Sequence, residues 1–216
     1  MLQYSDLKIS WVGHDCFIIK GEVKICTDPF KINGNIKADI ILITHSHFDH
    51  FSLEDIRKIS SSSTIVVAPQ DCKVSLEKLD LMSVKVVKPD NMLEVFGINI
   101  KTVSAYNINK FRSQGILFHP KQMGGMGYIF KIGGVTFYHT GDTDCIHEMQ
   151  GLNVDVMFLP VSGTYVMTSE EAVQAVGMVK PKLAIPMHFG SIVGSIDDAK
   201  KFSRQASCRV EILDKI

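Results

Sequence analysis

The segment His45-Ser-His47-Phe-Asp49-His50 places three imidazoles and a carboxylate within six residues. Imidazole with carboxylate suits Zn²⁺, Fe or Mn²⁺ rather than Ca²⁺, and without thiolates the set is unlike a purely structural zinc site. In an extended segment residues i and i+2 share a face, so His45 and His47 can converge on one ion. A turn after them lets Asp49 and His50 point to a second position nearby. Taken alone, a solvated histidine-rich turn is the other reading of this run.

Such a turn needs rigid elements on both sides. An Ile-rich run at 39–44 reads as a strand, and Ser52 followed by Asp55 reads as a helix cap opening a helix over 53–59. The cluster therefore belongs at the carboxyl end of a strand. Further strands are predicted at 7–13, 16–20, 23–28, 64–69, 98–106, 155–160, 183–188 and 209–213, with a hairpin over 127–142 turning at Gly133-Gly134. Helices are predicted over 74–82, from the Thr168 capping box to Val179, and over 197–205. Helices fall between groups of strands rather than alternating with them, which favours mixed sheets layered with helices over a doubly wound fold. Gly124-Gly-Met-Gly127 lacks a following Lys-Ser/Thr and reads as a flexible turn rather than a phosphate cradle.

The 216 residues are 45% hydrophobic, with 23 basic and 23 acidic side chains and no net charge. That balance argues against a protein that coats nucleic acid or a membrane surface. No linker or repeat divides the chain, so one domain over 1–216 is expected, in the cytoplasm, with a small-molecule substrate and with homo-oligomerisation left open. Cys16, Cys26, Cys72, Cys145 and Cys208 are scattered and odd in number, which suits free thiols.

Five ordered motifs resemble the metallo-β-lactamase superfamily over almost the whole chain, within it the small metal-dependent hydrolases similar to ascorbate-phosphate lactonases. They are Trp11-Val-Gly-His14, Thr44-His-Ser-His-Phe-Asp-His50, Tyr138-His-Thr-Gly-Asp142-Thr, Met167-Thr-Ser-Glu-Glu171 and Pro186-Met-His188. The resemblance implies an α/β (α+β) four-layer αββα sandwich carrying two divalent transition-metal ions, zinc first and Mn or Fe as alternatives. It implies His45 and His47 on the first metal, Asp49, His50 and His188 on the second, and Asp142 between them. A bridging hydroxide would be the nucleophile, with Asp49 orienting it and taking its proton. The implied activity is hydrolysis of a small, anionic ester, lactone or phosphodiester. A phospholipase-D-like or nuclease phosphodiesterase, a non-hydrolytic metal- or ligand-binding protein and a redox diiron protein are the alternatives. His14 is placed at the site edge, and His139 in a supporting position behind Asp142.

The chain departs from the resemblance at one ligand. Many relatives carry a histidine where Asn107 follows Tyr106 here, and an amide oxygen is a poor zinc ligand beside imidazole. His119, held extended by Pro120, is expected to replace it, leaving Asn107 to support the site or face substrate. From Val95 to Gly141 there are five basic residues and no acidic one, so this stretch is +5 and the remainder −5. Lys110, Arg112 and Lys121 are therefore expected to steer an anionic substrate.

Overall fold

Alternation of side chains along the strands decides the architecture. In a computed structural model that describes residues 1–34 and 36–216, the first half of the chain forms β1 (Leu2–Tyr4), β2 (Leu7–Gly13), β3 (Cys16–Lys20), β4 (Lys24–Thr27) and β5 (Ile40–Leu42). Helix α1 (Leu53–Ile59), β6 (Ile65–Pro69), helix α2 (Lys73–Leu76) and β7 (Ser83–Val87) follow. The strands pair in chain order, antiparallel from β1 to β4 and parallel from β4 to β7. Phe17, Ile19, Ile40, Leu42 and Val67 enter one core, while Cys16, Ile18, Ile41, Ile43 and Val66 join Ile56, Ile59 and Leu76 of the helices in another. Both faces of the sheet are covered, and so the central strands are apolar at nearly every position.

The second half adds β8 (Met92–Val95), β9 (Ile98–Ser104), a small hairpin of β10 (Phe111–Ser113) and β11 (Ile116–Leu117), β12 (Met126–Ile132) and β13 (Val135–His139). It closes with β14 (Val156–Pro160), α3 (Ser169–Val179), β15 (Leu183–Met187), α4 (Ile196–Gln205) and β16 (Arg209–Val210). The second sheet runs β16-β15-β14-β13-β12-β9-β8, again antiparallel on one side, up to β13, and parallel beyond it. Thus both sheets share one layout, and the order is helix, sheet, sheet, helix. Phe17 stacks on Phe158 at 4.2 Å between ring centroids, and Phe130 on Phe137 at 5.3 Å. Each such side chain, once fully buried, contributes about 1.5–3 kcal/mol.

The caps follow the sequence closely. Ser52 accepts from Asp55 N–H, and Thr168 with Glu171 makes a complete capping box. Asp55's own carboxylate is used otherwise, accepting from the backbone of Lys31 and Ile32. The helix expected over 74–82 is confined to Lys73–Leu76. Leu76, Leu79 and Leu81 all pack on the same apolar cluster, but a continued helix would turn Leu81 about 140° away from Leu76. The strand expected over 209–213 is reduced to Arg209–Val210.

Gly124-Gly-Met-Gly127 is also more ordered than a flexible turn. Gly124 is left-handed at φ 75°, and Gly127 already lies in β12. A Cβ on Gly127 would stand 2.6 Å from the His139 carbonyl and 2.7 Å from that of Thr140. Glycine is required because β12 presses on the chain that leads to Asp142. The five cysteines are free. No helix among the described residues is long and apolar enough to cross a membrane.

Candidate metal centre

Loops leaving the carboxyl ends of β2, β4, β5, β13 and β15 meet at one edge of the sandwich and supply, in turn, His14 and Asp15, Asp28, His45 to His50, Asp142, and His188. β4 and β13 are the strands at which each sheet changes from antiparallel to parallel, the kind of position where strand ends diverge and leave a crevice. The backbone is strained there. His14, Asp28 and His188 all lie in the left-handed region, at φ 51°, 38° and 60°, a conformation that costs a non-glycine residue of order 1 kcal/mol or more and persists where packing enforces it.

Two groups of side chains result. In the first, His47 Nδ1 lies 3.1 Å from His45 Nε2 and 3.2 Å from His119 Nε2. The second gathers His14, Asp49, His50 and His188. Asp142 stands between them, with Oδ2 3.4 Å from His119 Nε2 and 3.3 Å from His188 Nε2, and Oδ1 3.4 Å from His50 Nε2. The six residues implied by the resemblance are thus brought together, and so is His119. His14 enters further than the site edge, donating from Nε2 to Asp49 Oδ2 at 3.1 Å.

Four of the converging imidazoles, His45, His50, His119 and His188, are held from behind. His50 Nδ1–H donates to Asp28 Oδ2 at 2.9 Å, and His45 Nδ1–H to Thr44 Oγ1 at 3.0 Å. Thr44 in turn donates to Asp28 through Oγ1 at 2.7 Å and through its backbone N–H at 2.8 Å. His188 Nδ1–H is held by Ser162 Oγ at 3.1 Å, and His119 Nδ1–H by Asn107 Oδ1 at 3.1 Å. These contacts fix the tautomer, so that each of these rings, when neutral, turns its Nε2 lone pair toward the cluster. Asn107 is buried and does not line the cavity above the cluster. Its amide donates to Tyr165 O and Asp144 Oδ1, and Asp144 also accepts from the Ile108 and Asn109 backbone. His139 stays outside the cluster, donating from Nε2 to the Asp15 carbonyl at 2.9 Å.

Asp28, Asp15, Asp144 and Ser162 escaped the sequence reading. Asp28 ends a predicted strand just before Pro29, and Asp144 shares an extended face with Asp142, which are the signals that could have found them.

Electrostatics separate the groups. Burial, reinforced by the charge of His50, keeps His45 well below its ordinary pKa. For His14 burial prevails over the Asp49 hydrogen bond and brings it to about 4. Burial opposes ionisation of Asp49, but the His14 hydrogen bond and His50 outweigh it and leave Asp49 at about 2. Burial likewise opposes charge on Asp142, yet His188 and His50 hold it well below the usual carboxylate range. His50 is raised despite burial, by Asp142 and Asp28.

A metal fits this arrangement. His50 Nε2, His188 Nε2, Asp142 Oδ1 and both oxygens of Asp15 are buried without a hydrogen-bond partner. Buried polar atoms are rarely left so, and here they are ligand types converging on one place.

The cluster forms the floor of a cavity of about 360 Å³, walled by Phe48, Phe118, Tyr165 and Ile192, the size of a small-molecule site. The steering expectation changes at two of its three residues. Lys110 Nζ pairs with Glu171 at 2.7 Å and Asp144 at 3.3 Å, and Lys121 with Glu148 at 2.6 Å. Their charge is spent on carboxylates from elsewhere in the chain. Arg112, exposed on β10, has no acidic partner among the described residues, and its charge is felt at His47. On an anionic substrate, Arg112→Ala is expected to lower kcat/KM about tenfold at low salt and flatten its salt dependence, while Lys121→Ala changes it less than about twofold. Equal effects of the two variants would count against this division.

Residues 8–188 match the model of the beta-lactamase superfamily domain. A UPF0173 metal-dependent hydrolase of Thermococcus kodakarensis is 31% identical over 225 residues, spanning 96% of this chain and 95% of its own. A solved chain from Parabacteroides distasonis, assigned as a metal-dependent hydrolase, is 32% identical with a TM-score of 0.81, covering 96% of this chain and 94% of that one. A metallo hydrolase of Ignicoccus hospitalis shares the fold, with a TM-score of 0.76 at 22% identity over 97% of this chain and 95% of that one.

Proposed function

The chain belongs to the beta-lactamase superfamily and is a metal-dependent hydrolase, and from that premise we propose that it cleaves a small anionic ester, lactone or phosphodiester with two divalent transition-metal ions. His45, His47 and His119 would hold the first, zinc by preference, and Asp49, His50 and His188 the second, with Asp142 shared. Two such ions would supply Lewis acidity and would lower the pKa of bound water toward neutrality. The observation that carries the reading is the convergence of partnerless ligand atoms whose rings are each fixed from the far side.

The chain's own residues divide the remaining work. Asp49 faces the cavity and is ionised at neutral pH. Its Oδ2 is engaged by His14, which leaves Oδ1 as the atom that would ligate the second ion and orient the attacking water. Phe118 and Tyr165, in contact at 4.5 Å between ring centroids, give the apolar part of a substrate a surface and exclude water from it. Arg112, whose charge reaches His47, would attract its acidic end. Being a hydrolase sets aside the purely binding and redox readings.

The test is elemental analysis of protein purified without chelators, followed by a panel of a lactone, bis-p-nitrophenyl phosphate and a thioester. Close to two first-row metal ions per chain and turnover lost on chelation are expected. A stoichiometry below one, unchanged by reconstitution, overturns the dinuclear reading. Turnover confined to bis-p-nitrophenyl phosphate would make it a phosphodiesterase.

A further inference from the structure

Asp15 takes no part in the ligand set above, yet it is the most anomalous side chain in the molecule. It is completely buried, and neither carboxylate oxygen has a hydrogen-bond partner. Its backbone is tied down, with the carbonyl accepting from His139 Nε2 at 2.9 Å and from Thr27 Oγ1 at 3.0 Å. The carboxylate therefore cannot be relieved by swinging the residue toward solvent. A buried unpaired carboxylate is costly unless a cation or donor meets it.

Its surroundings indicate what meets it. One side of Asp15 approaches His50 Nδ1, at 4.0 Å, but that nitrogen already donates to Asp28 at 2.9 Å. On its other side an oxygen of Asp15 lies within 4.8 Å of ligand atoms of both Asp142 and His188. There His188 Nε2 and Asp142 Oδ1 are themselves without partners. Ligand atoms on one first-row ion, each about 2.1 Å from it, stand no more than about 4.2 Å apart. Asp15, Asp142 and His188 therefore already stand close to the span that one ion imposes.

We propose that Asp15 is a further ligand of the second metal, reaching it from inside the fold beside Asp142 and His188. The inference rests on the two-metal reading of the site. It gives the second position two nitrogens and three carboxylates, from His50, His188, Asp49, Asp142 and Asp15. The first position keeps three nitrogens and the shared Asp142. The nitrogen-rich set suits four-coordinate zinc, and the oxygen-rich, higher-coordinate set suits manganese or iron. Asp15 also makes a fourth carboxylate with Asp28, Asp49 and Asp142, a charge that two divalent cations balance.

The experiment compares wild type with Asp15→Asn and Asp15→Ser, each stripped and then titrated with Mn²⁺ and with Zn²⁺ against a chelator. Thermal unfolding is followed with and without metal. Expected is a loss of tenfold or more in affinity for the second ion, largest for Mn²⁺, with the first ion bound within twofold of wild type. Asp15→Asn should gain less thermal stability on metal addition than wild type does. Both variants binding the second ion as wild type does would overturn the assignment and make Asp15 a structural carboxyl. A wild type that takes up no second ion overturns the two-metal reading itself, before the variants are compared.

Discussion

Alanine in place of Asp142 is expected to cut hydrolysis by about a thousandfold or more while leaving the chain folded. Among the described residues no other carboxylate pairs with imidazoles of both groups. Its oxygens stand 3.3–3.4 Å from His188, His119 and His50, which come from three separate loops. Without it the two groups of imidazoles lose the carboxylate they share, and three buried rings lose the negative charge that faces them. The fold should survive because Asp142 lies at the sandwich edge and its partners are held from behind by Thr44, Asn107, Ser162 and Asp28. Circular dichroism with metal analysis checks both halves of the expectation. Near-normal turnover with a full complement of metal in the folded variant would remove Asp142 from the centre of the site.

Asp28 is expected to give the largest combined effect on stability and metal binding, although it faces no substrate. Its fully buried carboxylate accepts from His50 Nδ1, Thr44 Oγ1 and Thr44 N, and through Thr44 it also orients His45. One side chain therefore aims a histidine of each group, His50 directly and His45 through Thr44. Asp28→Ala leaves a charged partner and two buried donors unpaired, so a loss of about 3–5 kcal/mol in folding stability is expected. Asp28→Asn keeps the shape but cannot serve both His50 and Thr44 as an acceptor, and metal affinity should fall about 10–100-fold. Denaturant unfolding and chelator competition measure the two effects. An Asp28→Asn protein with wild-type metal affinity would show that the rings are oriented by packing alone.

What the sequence made legible was local. His45 to His50 lie in one run, and the strand before it and the helix after it follow from neighbouring residues, so their placement could be read directly. Asp142 and His188 were reached through resemblance, and His119 through a missing histidine at 107. The residues behind the ligands were less accessible. Asp28 looks like any aspartate before a proline until the parallel pairing of β4 with β5 carries it to Thr44. Lys110 and Lys121 counted as free charge because their partners, Glu171 and Glu148, lie 61 and 27 residues away in sequence. Edge strands were missed for a related reason. In β7, Lys85 and Val86 are exposed and only Val87 is buried, so neither alternation nor an apolar run marks the strand.

The shared layout of the two sheets also bears on how long a folded molecule lasts. The first sheet is built from residues 2–87 and the second from 92–210, and each ligand group draws on both, His45 and His47 with His119, and Asp49 and His50 with His188. An ion held there is a tie across the seam that must open before the layers can separate. Its escape then governs the unfolding rate, whatever the equilibrium stability, because a state with the sheets parted can no longer ligate from both sides. Lifetime in a metal-replete solution becomes a property of ligand exchange, and a chelator acts on it as heat would.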